Sequence, residues 1–436
     1  MITSLLIMVF GLVTGSLTAK LLGVVGRGEL ASIQLYGSLF ASICASGLPA
    51  AVTYFTGSDP EKAGEYYLTG IGVALLLAVP CAIGGFFAIP HLLTNQRYEV
   101  VSAAQLYLLF IPLGIVTSFS LASLQGQMKM LLWNLLRIIA GVFWLIPLVG
   151  LFFYRDVDAV TVSRVYLLFL FLYGCVFVAI LLRALPGRIR ILRELFRPLW
   201  RYALPTSVAT FSQQSNLKLD QIFIAALLPP QLLGIYVVSI AWSAAHSPLI
   251  GAVSYAIVPH MLRINSAEDR RTAICRITRT SMILNVVLAT AMLAVTPAAI
   301  RILFGNQFLG AVTVSFILII GSVFSNMKGV IAEGLRGMCK PEIVMKGELL
   351  GLSVSLFLFP LLLSIGQLLG VAVASVAGYV ATVGFLLLQL GKISGATVRE
   401  VLVPCRADLS YLLNQAEIVI RRRKTLLLPN PDAPLA

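Results

Sequence analysis

Twelve apolar stretches occupy almost the whole chain, near 2–22, 32–55, 67–89, 103–124, 131–153, 163–182, 203–228, 232–257, 280–300, 310–335, 347–366 and 369–390, with little hydrophilic sequence between them. About 20 apolar residues in a helix cross the hydrocarbon core of a bilayer, so each stretch reads as one span, numbered 1–12 in chain order. Hydrophobic residues make up 59% of the 436 and charged residues 11%, whereas a soluble domain carries about 25% charged residues. Mean hydropathy is +0.95. The expected fold class is an all-α polytopic membrane protein of twelve transmembrane helices, whose work is done across or within a bilayer.

The basic residues give the orientation, because Lys and Arg are retained on the cytoplasmic side. An even number of spans puts both termini on one face. The loops on that face, with the C-terminal tail, hold 23 of the 32 Lys and Arg; the opposite loops hold six, Lys20, Arg27, Arg97, Arg155, Arg164 and Arg301. Both termini are therefore expected in the cytoplasm. The net charge of +14 is mostly this topology signal, not a footprint of nucleic acid. No cleavable signal peptide is evident after Met1, and the true start could lie upstream of it. The six cysteines (44, 81, 175, 275, 339 and 405) show no CxxC or metal-ligand spacing. They read as buried, inert thiols, with no metal or cofactor implied.

The basic segment Arg183–Arg201 divides the spans into six and six. The expected organisation is an N-terminal lobe at 1–182, a cytoplasmic connector at 183–202, a C-terminal lobe at 203–391 and a tail at 392–436. In the tail, Arg421-Arg422-Arg423-Lys424 is expected at the lipid surface, and Pro429–Ala436 is expected to be disordered. An internal repeat is faintly visible. "LLGVVGRGELASI" at 21–33 lies on "LLPPQLLGIYVVSI" at 227–240 with a shift of 206, which pairs Gly28 with Gly234. Two parallel six-span repeats with a site between them form a transporter architecture.

An ionisable residue at the bilayer centre costs about 2.5–3.5 kcal/mol on insertion scales, so it usually faces protein or a wet cavity. Span 7 departs most from an apolar helix, reading Ser212-Gln213-Gln214-Ser215-Asn216-Leu217-Lys218-Leu219-Asp220-Gln221. Lys218 and Asp220 are two apart and point to different sides of the helix. Gln214, Lys218 and Gln221 share one face; Gln213, Asn216 and Asp220 share another. So wide a polar arc is expected to line an aqueous cavity, with a buried inter-helix network as the plainer alternative. Arg137 in span 5, Lys328 in span 10 and Lys20 at the end of span 1 complete a ladder of cations suited to an anionic group that must cross, since Arg and Lys bind phosphate oxygens. Snorkelling to the interface is the alternative for Arg137 and Lys20. Three groups could couple transport to an ion: Asp220, Glu333 and His246. Glu333 shares a face with Arg336 and Lys340, which favours a salt bridge. His246 sits beside Ser243 and Ser247, which favours a hydrogen-bonded core histidine over a proton carrier.

Four segments carry a family resemblance. They are "AKLLGVVGRGELA" at 19–31, "GLPAAVTYFTG" at 47–57, "LKLDQIFIAALLPPQLLGIY" at 217–236, and "AEGLRGMCKPEIVMKGELLGL" at 332–352 followed by "GQLLGVAVASVAGYV" at 366–380. In order and spacing the chain resembles, over residues 1–391, the Wzx-type polysaccharide and lipid-linked oligosaccharide flippases of the multidrug/oligosaccharidyl-lipid/polysaccharide (MOP) superfamily. The resemblance implies a MATE-like fold of two six-helix lobes, a central cavity lined chiefly by helices 1, 2, 7 and 8, and alternating access. It implies membrane lipids and a polyprenyl-pyrophosphate-linked oligosaccharide as partners, with polysaccharide polymerase or export machinery downstream and a bacterial inner membrane as location. Lys218 best fits the role of holding the pyrophosphate.

The second reading is an ion-coupled exporter of small molecules. Drug exporters of the superfamily tend to rely on acidic residues in the first lobe, and spans 1, 2, 3, 4 and 6 contain no interior Asp or Glu. The lipid II branch tends to have two further helices, which twelve spans do not include. An enzyme is disfavoured, because the opposite-face loops are short, Asp220 has no partnered carboxylate for acid–base work, and no GxxxxGK[ST] phosphate loop occurs.

Overall fold

The computed structural model describes residues 2–154, 156–188, 190–262, 264, 266–338 and 340–403. The tail run Arg421–Lys424, the terminal residues 429–436, and Cys339 and Cys405 lie outside them. In chain order the helices are α1 (Ile2–Ala45), α2 (Leu48–Ser58), α3 (Ala63–Leu92), α4 (Tyr98–Leu106), α5 (Phe110–Gly126), α6 (Met130–Leu151), α7 (Ala159–Ala184), α8 (Arg193–Leu227), α9 (Pro230–Ser243), α10 (Ser247–Leu262), α11 (Ala267–Leu303), α12 (Ala311–Gly337), α13 (Pro341–Ser394) and α14 (Val398–Leu402). Among the described residues there is no strand.

Eight of these segments are long and apolar enough to cross a membrane. Two are too long to cross only once. Leu5–Ala45 has 41 residues and Pro341–Ser394 has 54, about 60 and 80 Å of helix against a core of about 30 Å. Each contains one non-helical residue, Gly23 at φ 67° and Gln367 at φ 45°, and each therefore accounts for two spans. α8 supplies span 7 and α9 with α10 supplies span 8, so the twelve expected spans are all present. The apolar side chains that would be anomalous in water face outward: Leu76, Phe87, Phe357 and Ile365 are 68–77% exposed. An apolar surface of this kind is matched by lipid.

Two boundaries differ from the sequence expectation. Span 8 is broken at Ala244–His246, where Pro248 occupies the first turn of α10 and offers no N–H to a continuous helix. α8 begins at Arg193, so much of the expected 183–202 connector is helix; only residues 185–192 link it to α7. That linker is strapped to the start of α3, where Arg190 Nε donates to Glu65 Oε1 at 2.8 Å and the Leu192 N–H donates to Thr69 Oγ1 at 3.1 Å. Of the cysteines, Cys44 and Cys275 are buried and Cys81 half-buried, but Cys175, in the apolar helix α7, is exposed.

The two sequence-paired glycines touch. A Cβ on Gly28 would lie 1.8 Å from the Pro230 carbonyl oxygen, and one on Gly234 would lie 2.1 Å from that of Val24. A backbone carbonyl can approach a helix this closely only where the residue it meets has no Cβ. The helix breaks beside them, at Gly23 and at Pro229, are related by the same offset of 206. The faint repeat is thus a pair of equivalent turns joining the first half of the chain to the second at one end of the bundle. At the opposite end α2 meets α8, and Ser207 Oγ donates to the Ser46 carbonyl at 2.6 Å.

Candidate functional site

Between the halves lies a cavity of about 480 Å³, lined by residues of α1, α5–α9 and the 3₁₀ turn at Tyr107–Leu109. Lys218 and Gln221 enter it from α8 and Arg27 from α1 just beyond the Gly23 break, with Gln34 and Ser38 two and three turns further on. Tyr107, Phe110, Trp144 and Tyr166 form an aromatic wall. A second cavity of about 940 Å³ is lined by Arg137, Trp133 and Asn134 of α6 with residues of α1, α9 and α10. Gly11 and Ala241 line both cavities, so the two compartments meet there. No acidic residue lines either one among the described residues.

Among the described residues, no cation of this route is in an ion pair with a carboxylate. Arg27 Nε is buried without a hydrogen-bond partner, and neither Arg27 nor Lys218 makes an ion pair with a described residue. Arg137 lies over the Trp133 ring, its guanidinium carbon 4.2 Å from the centroid, in a cation–π contact that leaves its N–H groups available. The neighbouring acids turn away. Glu29, two residues beyond Arg27, accepts from Arg97 Nε and Nη2 at 2.9 and 3.0 Å. Asp220, two beyond Lys218, is buried against α9 and α13, where it accepts from the Tyr236 hydroxyl at 2.8 Å, from the Gln221 N–H at 2.7 Å and from Ser375 Oγ at 3.5 Å.

The two faces of span 7 therefore have different destinations. Lys218 and Gln221 face the cavity. Asn216 and Asp220 face the second half's own core, where Asn216 Oδ1 accepts from Ser355 Oγ at 3.5 Å. Gln213 and Gln214 are half-buried and line neither cavity. Both the cavity and the inter-helix network weighed from the sequence exist, on opposite sides of one helix.

Other expected site residues lie elsewhere. Lys328 is buried and Nζ pairs with Glu348 Oε2 at 3.0 Å, both side chains being about 5% exposed, and it sits 5.6 Å from the Tyr379 ring centroid. It is an element of the α12–α13 packing and lines neither cavity, because the acid that takes it up stands at the very start of span 11 and is invisible from span 10 alone. Lys20 is exposed and lines neither cavity, as a snorkelling cation would be. Glu333 bonds Arg336 one turn on. His246 occupies the turn that breaks span 8, with Nε2 at 3.1 Å from Asn285 Oδ1, 3.2 Å from Asn326 Nδ2 and 3.4 Å from Ser322 Oγ. Among the described residues no group of three or more His, Cys, Asp or Glu could hold a metal ion.

Arg27 is the cavity residue that segmentation of the sequence assigned to a loop. Its signal was present in the spacing: Arg27, Leu30, Ala31, Gln34 and Ser38 recur at helical intervals and form one face of α1. The helix runs through the expected loop with a single kink.

The polysaccharide biosynthesis protein family matches residues 1–265. No curated protein matches the chain significantly in sequence. In fold it is similar to a solved structure of the lipid II flippase MurJ in an inward closed conformation, with a TM-score of 0.75 and 14% identity over 98% of this chain and 93% of that one. It is also similar to an inward-facing multidrug resistance MATE family transporter of the MOP superfamily, with a TM-score of 0.69 and 14% identity over 89% and 95%. A third similar structure is a MOP superfamily transporter from Pyrococcus furiosus, described as having a binding pocket of reversed polarity, with a TM-score of 0.56 and 14% identity over 91% and 95%. This chain belongs to the polysaccharide biosynthesis protein family, and its fold is that of the MOP-superfamily transporters.

Proposed function

We propose that this protein flips a polyprenyl-pyrophosphate-linked oligosaccharide across the bacterial inner membrane by alternating access, supplying polysaccharide polymerisation or export on the outer side. The observation that carries the reading is the polarity of the central cavity: Arg27 from one half and Lys218 from the other, with no carboxylate in its lining among the described residues. A pyrophosphate placed between them gains charge-assisted hydrogen bonds from both halves. Such a ligand favours whichever state brings the two cations together, which is the differential affinity that alternating access requires. Arg137 in the adjoining compartment offers the same group an earlier station on its way from the basic, cytoplasmic end. The Gly28–Gly234 junction then closes the outer end. A cationic drug would meet repulsion in this cavity, which weighs against small-molecule export.

The test uses a host that lacks this protein while saccharide synthesis continues. Lipid-linked oligosaccharide should accumulate on the cytoplasmic leaflet. The intact chain should relieve the accumulation, and Lys218→Ala, inserted at a matched level, should not. No accumulation in a strain without a second flippase, or normal export by Lys218→Ala, overturns the reading.

A further inference from the structure

The geometry points to a division of labour within the central cavity, resting on the flippase reading. The cations hold the pyrophosphate, while the aromatic wall of the first half seats the sugar ring next to it and so determines which saccharide is carried. Four aromatic side chains line the same cavity as Arg27 and Lys218. Tyr107 and Phe110 are stacked at 5.3 Å with an interplanar angle of 10°. Trp144 meets Tyr166 edge to face at 4.6 Å and 73°. All four come from residues 107–166, in the first half, whereas the cations come one from each half.

This asymmetry matters chemically. A pyranose ring presents C–H bonds on its faces and hydroxyls at its rim. The C–H face stacks on the electron-rich face of an aromatic ring, and the rim needs directional donors and acceptors. Those lie beside the wall: the Gln34 and Gln221 amides and the Ser38 hydroxyl line the same space. Apolar walls with a few converging polar groups are the usual make-up of a small-molecule site, and about 480 Å³ falls within the range such sites occupy. It suits a pyrophosphate with the sugar attached to it, the rest of the oligosaccharide extending into the compartment beyond Gly11 and Ala241. Aromatic side chains facing lipid need only be apolar; these face a space that also holds two cations without an ion-pair partner among the described residues. Because both cations answer to any pyrophosphate, discrimination between saccharides falls to the wall.

Binding to the purified, detergent-solubilised protein tests this with two probes, bare polyprenyl pyrophosphate and the lipid-linked oligosaccharide extracted from the depleted host. Wild type should bind the glycosylated carrier more tightly than the bare one. Trp144→Leu should shrink that ratio about tenfold, and Trp144→Phe, which keeps a ring face, should restore most of it. Lys218→Gln should weaken both probes and leave the ratio intact. Tyr166→Leu serves as the second position if Trp144→Leu does not fold. If wild type binds both probes equally, or Trp144→Leu and Tyr166→Leu weaken both to the same degree, the sugar-seating inference falls while the flippase reading stands. If wild type binds neither probe, the flippase reading falls and this inference falls with it.

Discussion

The central cavity and the interior of the second half are built from the same residue types and treat them in opposite ways. Among the described residues of the second half's core, Lys328 pairs with Glu348 at 3.0 Å, Asp220 is held by Tyr236 at 2.8 Å, and His246 Nε2 rests among Asn285, Asn326 and Ser322. In the cavity neither Arg27 nor Lys218 makes an ion pair with a described residue, and the acid whose charge Lys218 feels, Asp220, lies on the other side of its own helix. The two regions share α8, whose Lys218 faces one and whose Asp220 faces the other. A buried charge left without an ion pair is costly, and this contrast across one helix supports the proposal that the cavity cations serve a ligand.

The largest effect follows from breaking the satisfied side. Removing one member of the Lys328–Glu348 pair strands the other charge, at a cost of about 3–5 kcal/mol. Lys328→Met should therefore cut the amount of folded protein sharply, measured as detergent-extractable monodisperse material. The double variant Lys328→Met/Glu348→Met should recover most of it. Recovery of export by Lys328→Met alone would mean the pair is not the structural element its geometry describes.

The junction between the halves should come next. Gly28→Ala places a Cβ against a backbone carbonyl, where no side chain can swing aside, and overpacking of this kind costs about 1–3 kcal/mol. The Gly23 end should be held apart, and a cysteine at Gln34 in a cysteine-free background should become more reactive to an impermeant maleimide added outside the cell. Gly84→Ala, with nothing within 4 Å of its Cβ, is the matched control. Unchanged labelling in Gly28→Ala would remove the junction from the account.

Asp220→Asn should have the smallest effect. The amide can still accept from Tyr236, at a loss of about 1 kcal/mol for a weaker hydrogen bond, so the unfolding midpoint should fall slightly and binding of a pyrophosphate carrier should persist. Transport lost with folding and binding intact would instead give Asp220 an ion-coupling role and blur the line between the two regions.

How much of this could be read in advance depends on the range of the interaction. The spans follow from local hydropathy and were legible. So were the two faces of span 7, because helical periodicity separates Lys218 from Asp220 without any tertiary information. The Gly28–Gly234 contact is legible too, because a single offset of 206 pairs the two glycines in sequence. Arg27 was hidden because a run of charged and glycine residues looks like a loop when the helix bends there without ending. The fate of Lys328 was illegible for a different reason: its partner, Glu348, lies on another helix, and only packing shows that the two meet. Glu29 with Arg97 and Glu65 with Arg190 were missed in the same way. The break in span 8 was signalled by Pro248, though nothing local shows that His246 would fill the gap.

The most direct measurement is equilibrium binding of bare polyprenyl pyrophosphate to the purified protein and to the double variant Arg27→Gln/Lys218→Gln, with both confirmed to be folded. The account predicts saturable binding to wild type and a loss of roughly 100-fold or more in the double variant, from two charge-assisted contacts of about 1.5–3 kcal/mol each. Equal affinity in the two proteins would contradict it, and the two cations of the cavity would then need another explanation.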